Sequence, residues 1–121
     1  MIKFKSLNKS EHFLRILKKK KLSNKYFTMY FDKNLNNKET SVNKYLNISF
    51  VMKKKIGNSV TRNKIKRKLK SAVQKILQKK EGIDLRFTYV IFGKNNVCKG
   101  KFADVLNEVD GIFKRIKQLN G

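Results

Sequence analysis

The sequence predicts one α+β domain in which helices pack on a sheet. The length of 121 residues matches one domain, and a hydrophobic content of 40% is enough for a small core. Helix-like and strand-like spacings of apolar residues follow one another in the order helix, strands, helix, strand, helix. No linker rich in Pro, Gly or Ser divides the chain. We therefore predict a single domain over residues 1–121.

Three segments have the apolar spacing of helices. The first covers roughly residues 8–20 and starts at a capping-box variant made by Asn8 and Glu11. The second covers residues 59–79 and follows a short turn that carries an N-cap group. The third covers residues 102–119 and has apolar side chains on one face. The apolar stripe of the second helix suits a sheet, and the third helix is expected to pack its apolar face on the sheet or on a partner.

Three segments have the pattern of strands. Residues 26–31 alternate, so that one set of side chains can face a core while the other forms an aromatic surface. Residues 45–52 have apolar side chains at the even positions, as a half-buried strand requires. Residues 85–93 are apolar almost throughout, which is typical of a central strand. The polar, asparagine-rich segment 32–44 is predicted to be the loop between the first two strands.

The charge of the chain predicts a polyanionic partner. There are 31 Lys and Arg residues against 8 Asp and Glu residues, which gives a net charge of +23 and strong self-repulsion. Codon bias in an AT-rich genome can explain abundant lysine, but it does not explain where the acids are missing. Residues 40–80 contain 13 bases and no acid, whereas a solvated surface normally mixes both signs.

Several classes of protein and site are disfavoured. No apolar run approaches the roughly 20 residues of a membrane-spanning helix, and the start of the chain does not have the apolar region of a signal peptide. Cys98 and His12 are single residues of their type, so a disulfide, a zinc site and a catalytic triad are not expected. Asp104, Glu108 and Asp110 are interpreted as acids that complement the dipole of the last helix. A cytoplasmic location is expected.

The strongest functional pattern is a basic helix. Between residues 53 and 70, nine of 18 residues are basic. On the predicted helix, Asn63, Lys66, Arg67 and Lys70 fall within an arc of about 100° beside the apolar stripe. Such cations match the phosphates of folded RNA or DNA, and the asparagine can hydrogen-bond a sugar or a base edge. A membrane surface is a weaker alternative, because the chain has no Trp and its aliphatic stripe suits a sheet.

The start of this helix resembles the signature of the bacterial ribonuclease P protein component. Residues 54–67 read KKIGNSVTRNKIKR, and the family motif is commonly an Arg-Asn-Arg followed by a Lys-Arg pair. The predicted helices and strands also fall in the family's order, so the resemblance covers nearly the whole chain. It implies a four-stranded sheet with three helices, ribosomal protein S5 domain 2-like, and a left-handed βαβ crossover, where general chain physics predicts a right-handed one. The fourth strand would lie near residues 22–25.

The resemblance also implies a function. A member of this family is the protein subunit of ribonuclease P, the endoribonuclease that removes the 5′ leader of precursor tRNA. The RNA subunit carries out phosphodiester hydrolysis with bound Mg²⁺, and no catalytic or metal-binding protein residue and no obligate protein partner are implied. At Lys64 and Lys70 arginine is usual, and lysine lacks its planar fork. The residues implied to contact the RNA subunit are Lys54, Lys55, Arg62, Asn63, Lys64, Lys66, Arg67 and Lys70.

A second surface implied by the resemblance is a cleft for the single-stranded leader. Its positions here are Phe13, Leu17, Tyr30 and Ser49, and Leu17 stands where a second aromatic residue is common. Aromatic side chains stack bases without requiring a particular sequence, which suits leaders that differ among tRNAs. From spacing alone, Phe13 and Tyr30 could equally be core residues.

Two other functions are kept as alternatives. A ribosomal-type structural RNA-binding protein would share the basic helix but would not need an aromatic cleft. A protein-only nuclease would have to cleave in the absence of RNA, and the sequence provides no residue pair poised to activate water. Binding of the leader separates the first alternative from a ribonuclease P subunit, and activity without RNA would identify the second.

Overall fold

Five strands form one mixed sheet in the computed structural model, which describes residues 3–5, 10–33, 45–79 and 82–120. The strands are β1 Lys3–Lys5, β2 Lys20–Ser23, β3 Phe27–Lys33, β4 Tyr45–Val51 and β5 Phe87–Gly93. The helices are α1 Ser10–Leu17, α2 Ser59–Leu77, α3 Asn96–Lys99 and α4 Phe102–Asn120, and a 3-10 turn covers Lys54–Ile56.

The sheet order is β1-β4-β5-β3-β2. β5 pairs in parallel with β4 and antiparallel with β3, so it is the central strand that its apolar sequence predicts. The basic helix α2 is the crossover between β4 and β5, while β2 and β3 form a hairpin. The α+β fold class is confirmed, together with the three predicted strands and the three longer helices. The handedness of the crossover stays a prediction of the resemblance.

The edges of the sheet differ from the prediction. β1 was not expected, because three residues are too few to show an alternation; it adds a fifth strand beside β4. β2 begins at Lys20, within four consecutive lysines at residues 18–21, rather than near residue 22. α1 ends at Leu17 instead of continuing to about residue 20. Only Leu22 of β2 is half-buried, so the strand is defined by its pairing with β3 and not by apolar side chains. Asp32 and Lys33, which the sequence assigned to the loop 32–44, belong to β3. The rest of that loop and the predicted cap at Asn8 lie outside the described residues.

The main core lies between one face of the sheet and the helices α2 and α4. Every second side chain of β3, such as Phe27 and Met29, points into this core. The side chains between them point to the opposite face of the sheet. The stripe of α2 is fully buried, which confirms its predicted packing face. The stripe consists of Ile65, Leu69, Ala72, Val73 and Ile76. Because these residues hold α2 on the sheet, its opposite side faces solvent.

The other face of the sheet is partly covered by α1. Ile16 of α1 and Val90 of β5 are fully buried but stand apart from the main core cluster. Thr28, Tyr30 and Phe92 also point to this face and are only half-buried. The short helix therefore seals one part of this face and leaves a cleft beside it.

Candidate RNA-binding surfaces

A sharp turn between β4 and α2 positions the basic helix. After the 3-10 turn Lys54–Ile56, Gly57 has a φ of 152°, a conformation that side chains rarely allow. A Cβ atom at Gly57 would lie 3.3 Å from the Thr61 Cβ atom. The Asn58 side chain accepts a hydrogen bond from the Thr61 N–H at 2.9 Å and caps α2. The polar N-cap expected in this turn is therefore Asn58, and the motif's cations begin one turn after it.

The cations of α2 project away from the core. Asn63, Lys64, Lys66, Arg67 and Lys70 are exposed. In the part of the chain that the structure describes, the ion pairs involve other cations, those of Lys79, Arg86 and Lys114. The positive charge of α2 is thus not balanced by nearby carboxylates, which favours an anionic partner. Arg62 is half-buried near the start of the helix, and Lys54 and Lys55 are exposed in the turn before it.

The polar side of α2 has two flanks, which contact different parts of the fold. On one flank, the Lys70 amine lies 5.8 Å from the ring centroid of Phe4 in the edge strand β1. On the other flank, Lys64, Arg67 and Lys68 line a pocket against α3 and α4. The predicted arc of cations is therefore only one part of a wider basic surface, which continues toward α4.

The structure brings the predicted cleft residues to one face of the sheet. Strand register places Tyr30, Val90 and Ser49 in one row across β3, β5 and β4. The Phe13 side chain comes from α1, and its ring centroid lies 6.3 Å from that of Phe92. Tyr30 packs edge-on against the same ring at 5.5 Å. Leu17 is half-buried one helical turn after Phe13.

Phe92 is a cleft residue that the sequence patterns did not reveal. It lies in a strand that is apolar on both faces, so hydrophobicity does not tell which face it occupies. Alternation along the strand could have identified it, because residues two apart share a face and Phe92 is two residues from Val90. In the sheet, Phe92 pairs with Thr28 on the face that carries Tyr30. Its ring joins Phe13 and Tyr30 into one aromatic cluster.

Lysine side chains surround this aromatic cluster. The Lys53 amine lies 5.8 Å from the Phe92 ring centroid, and the Lys21 amine lies 5.8 Å from that of Tyr30. The Lys94 amine donates hydrogen bonds to the Asn24 carbonyl at 2.7 Å and to the Ser23 hydroxyl at 3.2 Å. An open pocket of about 380 Å³ continues from the cluster to the turn before α2. Its lining consists of Thr28, Lys53, Lys55, Ile56, Phe92, Gly93, Lys94 and Asn95.

The titratable groups with shifted pKa values stabilise the turn before β5. Burial raises the pKa of the Tyr89 phenol, whose hydroxyl donates to the Asp84 carbonyl at 2.6 Å. Partial burial would raise the pKa of the Asp84 carboxyl, but hydrogen bonds from Arg86 and its positive charge hold that pKa below its usual value. Tyr89 also packs on Phe113 at a centroid distance of 5.1 Å. Tyr89 therefore belongs to the core side of the sheet, while the Arg86 side chain is exposed in the turn before β5.

The acids of α4 show no metal-binding arrangement. Among the residues that the structure describes, no group of three or more His, Cys, Asp and Glu side chains could hold a metal ion. Asp104 lies in the first turn of α4, as the dipole interpretation expects. Asp110 lies further along and pairs with Lys114 at 3.0 Å and with Lys79 at 3.9 Å, so its interpretation is corrected to an ion pair. No helix in the described ranges is both long and apolar enough to cross a membrane.

Comparisons with known proteins agree with the resemblance. The family model for ribonuclease P matches residues 1–117. The chain is 30% identical over 119 residues to the ribonuclease P protein component of Mesomycoplasma hyopneumoniae strain 7448, covering 98% of this chain and 97% of the relative. It is 28% identical over 120 residues to that of Carboxydothermus hydrogenoformans, covering 98% and 96%.

Solved structures agree as well. The RNase P protein from Thermotoga maritima superposes with a TM-score of 0.64 at 26% identity, covering 92% of this chain and 96% of that one. A Staphylococcus aureus RNase P protein mutant superposes with a TM-score of 0.72 at 24% identity, covering 93% and 87%, and this likeness supports the fold. Sequence motif, strand topology and relatives lead to one conclusion: this chain belongs to the bacterial ribonuclease P protein family.

Proposed function

We propose that this protein binds the catalytic RNA subunit of ribonuclease P with α2 and the 5′ leader of precursor tRNA with the aromatic cleft. The observation that carries the proposal is the arrangement of these two surfaces. The basic helix packs on one face of the sheet, and the cluster of Phe13, Tyr30 and Phe92 lies on the other. The turn at Lys53 to Lys55 belongs to both, because it opens α2 and also lines the cleft pocket.

Binding of the RNA subunit is supported by the unbalanced charge of α2. Each phosphate that a Lys or Arg neutralises releases counterions, which stabilises the complex at low salt. Lys64 and Lys70 act as point charges, while Arg67 can form two parallel hydrogen bonds to one phosphate. Asn63 adds a hydrogen-bonding group without charge. The proposed contact residues are Lys54, Lys55, Arg62, Asn63, Lys64, Lys66, Arg67 and Lys70.

Binding of the leader is supported by half-buried aromatic rings beside lysines. The half-buried rings of Phe13 and Tyr30 offer stacking surfaces, and Lys21 and Lys53 lie close enough to contact the backbone of a leader. Ser49 lies in the same row and can hydrogen-bond a sugar or base. None of these contacts requires a particular base, so the cleft suits leaders of different sequence.

We assign hydrolysis to the RNA subunit, with Mg²⁺ bound mainly by that RNA. Packing a precursor tRNA against a catalytic RNA brings two polyanions together. A protein of net charge +23 between them lowers their repulsion and reduces the Mg²⁺ concentration that assembly needs. The protein's own part is thus to hold the substrate and to neutralise charge.

Reconstitution tests the proposal. The protein, the RNA subunit and a 5′-extended precursor tRNA are mixed at moderate Mg²⁺, and cleavage at the mature 5′ end is measured. We expect the protein to lower the Mg²⁺ requirement of the RNA subunit and to leave precursor tRNA intact when it is alone. An unchanged Mg²⁺ requirement, or site-specific cleavage by nuclease-free protein without RNA, would contradict the proposal.

The same reconstitution distinguishes a ribosomal-type structural protein. Such a protein would bind the RNA subunit, but the resulting complex would bind precursor and mature tRNA with equal affinity. We expect the holoenzyme to prefer the precursor, because only the precursor has a leader to fill the cleft.

A further inference from the structure

A second pocket lies on the flank of α2 that faces α4. It has a volume of about 360 Å³ and is open to solvent. Its residues are Lys64, Arg67, Lys68, Ser71, Cys98 and Phe102. Only the first two belong to the proposed contact set on α2, so four lining residues have no role in the function proposed above.

The wall of this pocket is held in place by tertiary contacts. The Lys68 amine donates a hydrogen bond to the Gly100 carbonyl, which ties α2 to the turn before α4. A Cβ atom at Gly100 would lie 2.7 Å from the Tyr26 ring, so only glycine allows this close approach. The Asn96 side chain donates to the Lys25 carbonyl at 2.8 Å and holds α3 against the β2–β3 hairpin. The pocket is therefore formed before any ligand binds.

The lining combines an aromatic ring with cations and a hydroxyl. Phe102 is half-buried and contributes its ring to the pocket, while the Lys75 amine lies 5.7 Å from the ring centroid. An inorganic anion would use the cations but would gain nothing from the ring. A paired base in an RNA helix is already stacked, whereas an unpaired nucleotide offers a free base face together with its phosphate.

We infer that this pocket holds one unpaired nucleotide of the RNA subunit. Its base stacks on Phe102, its phosphate lies between Lys64 and Arg67, and the Ser71 hydroxyl bonds to the sugar or the base edge. The inference rests on the proposed function, since it adds a nucleotide subsite to the RNA contact of α2. It extends that contact from the predicted arc to the first turn of α4.

Tryptophan fluorescence tests the stack directly. The chain has no Trp, so Phe102→Trp and Leu119→Trp each create a protein with a single tryptophan, whose emission can be excited apart from that of the tyrosines. Leu119 is 57% exposed and lies about 25 Å further along α4, which makes it the matched control. Saturating RNA subunit should quench Phe102→Trp several-fold and leave Leu119→Trp nearly unchanged. Equal emission changes in the two variants would overturn the inference.

Affinity measurements test the subsite without an introduced tryptophan. Phe102→Leu should weaken binding of the RNA subunit about fivefold or more without changing the salt dependence, because it removes a stacking surface and no charge. Ser71→Glu places a carboxylate among the cations and should weaken binding by a similar factor at low salt. Gln118→Glu adds the same charge at an exposed position near the end of α4 and should bind like the wild type. Wild-type affinity in both pocket variants would overturn the inference.

Failure of the inference and failure of the proposed function give different results. If the wild-type protein binds the RNA subunit and the pocket variants bind equally well, the function stands and the subsite is wrong. If the wild-type protein does not bind the RNA subunit, both are wrong. Quenching of Phe102→Trp by precursor tRNA alone, but not by the RNA subunit, would also overturn the subsite, because it would assign the pocket to the substrate.

Discussion

The basic helix and the aromatic cleft lie on opposite faces of one sheet and are built in different ways. On α2, the groups proposed to bind RNA are separate from the groups that hold the helix on the sheet, because Arg67 is exposed while Leu69 is fully buried. In the cleft, the rings proposed to stack on the leader also hold the structure together, because Phe13 and Tyr30 each pack on Phe92. Substitutions on the helix should therefore alter binding alone, whereas substitutions in the cleft should also alter the free energy of unfolding.

The largest effect is expected at Phe92, where the two roles of the cleft meet. Phe92→Ala removes the ring that both Phe13 and Tyr30 contact, so we expect the free energy of unfolding to fall by about 2–3 kcal/mol. This loss is smaller than for a fully buried ring, because Phe92 is only half-buried. Urea unfolding measures this loss. An unchanged unfolding curve would show that the cleft rings do not support one another, and the contrast with α2 would disappear.

A smaller effect is expected for a ring at the edge of the cluster. Tyr30→Ala should weaken precursor tRNA binding to the holoenzyme by about 1–2 kcal/mol, the cost of one lost base stack, and Phe13→Ala should behave alike. Binding of mature tRNA and of the RNA subunit serves as the control and should stay near wild type. If Tyr30→Ala binds leader-bearing and leaderless tRNA with unchanged relative affinity, Tyr30 does not belong to the leader site. Melting curves are needed to separate this result from a loss of folded protein.

On α2, the expected losses are about 1 kcal/mol and confined to binding. Arg67→Ala removes a cation and should reduce the slope of log affinity against log salt by about one, while Asn63→Ala should weaken binding with little change in slope. Both variants should unfold like the wild type, because both side chains are exposed. Salt titrations of the RNA subunit complex measure the slopes. Equal slopes for the wild type and Arg67→Ala would refute a phosphate contact.

The smallest effect is expected outside both surfaces, in the turn before β5. Arg86 holds the pKa of Asp84 below its usual value of 3.8, so this pair stabilises the fold above pH 3.8 and loses its effect as the pH falls through the lower pKa of the folded state. Arg86→Gln should therefore be slightly less stable than the wild type at about pH 6 and equally stable at about pH 2. Urea unfolding at both values measures the difference, with the exposed Arg115→Gln as control. If Arg86→Gln were less stable than the wild type by the same amount at both pH values, the ion pair with Asp84 would not be the cause.

The sequence predicted those helices and strands whose own apolar spacing shows which face is buried. The stripe of Ile65, Leu69 and Val73 requires a helix with one buried face, and the cations on the remaining face follow from the same period. β1 and β2 were missed or displaced, because short charged edge strands owe their structure to the strand beside them. The cleft has the same difficulty. Phe13 and Phe92 meet only through tertiary packing, and no local pattern connects a residue of α1 with one of β5.

The central position of β5 has a consequence for the order in which the protein can form. β5 is the last strand in the chain, yet it is the strand that joins β4 to β3. Before residues 87–93 have been synthesised, the β2–β3 hairpin and the β1–β4 pair have no strand between them. Pairings so distant in sequence are slow to close. The row of Tyr30, Val90 and Ser49 cannot exist until β5 inserts, so the cleft is completed late in folding, while the hairpin can form early.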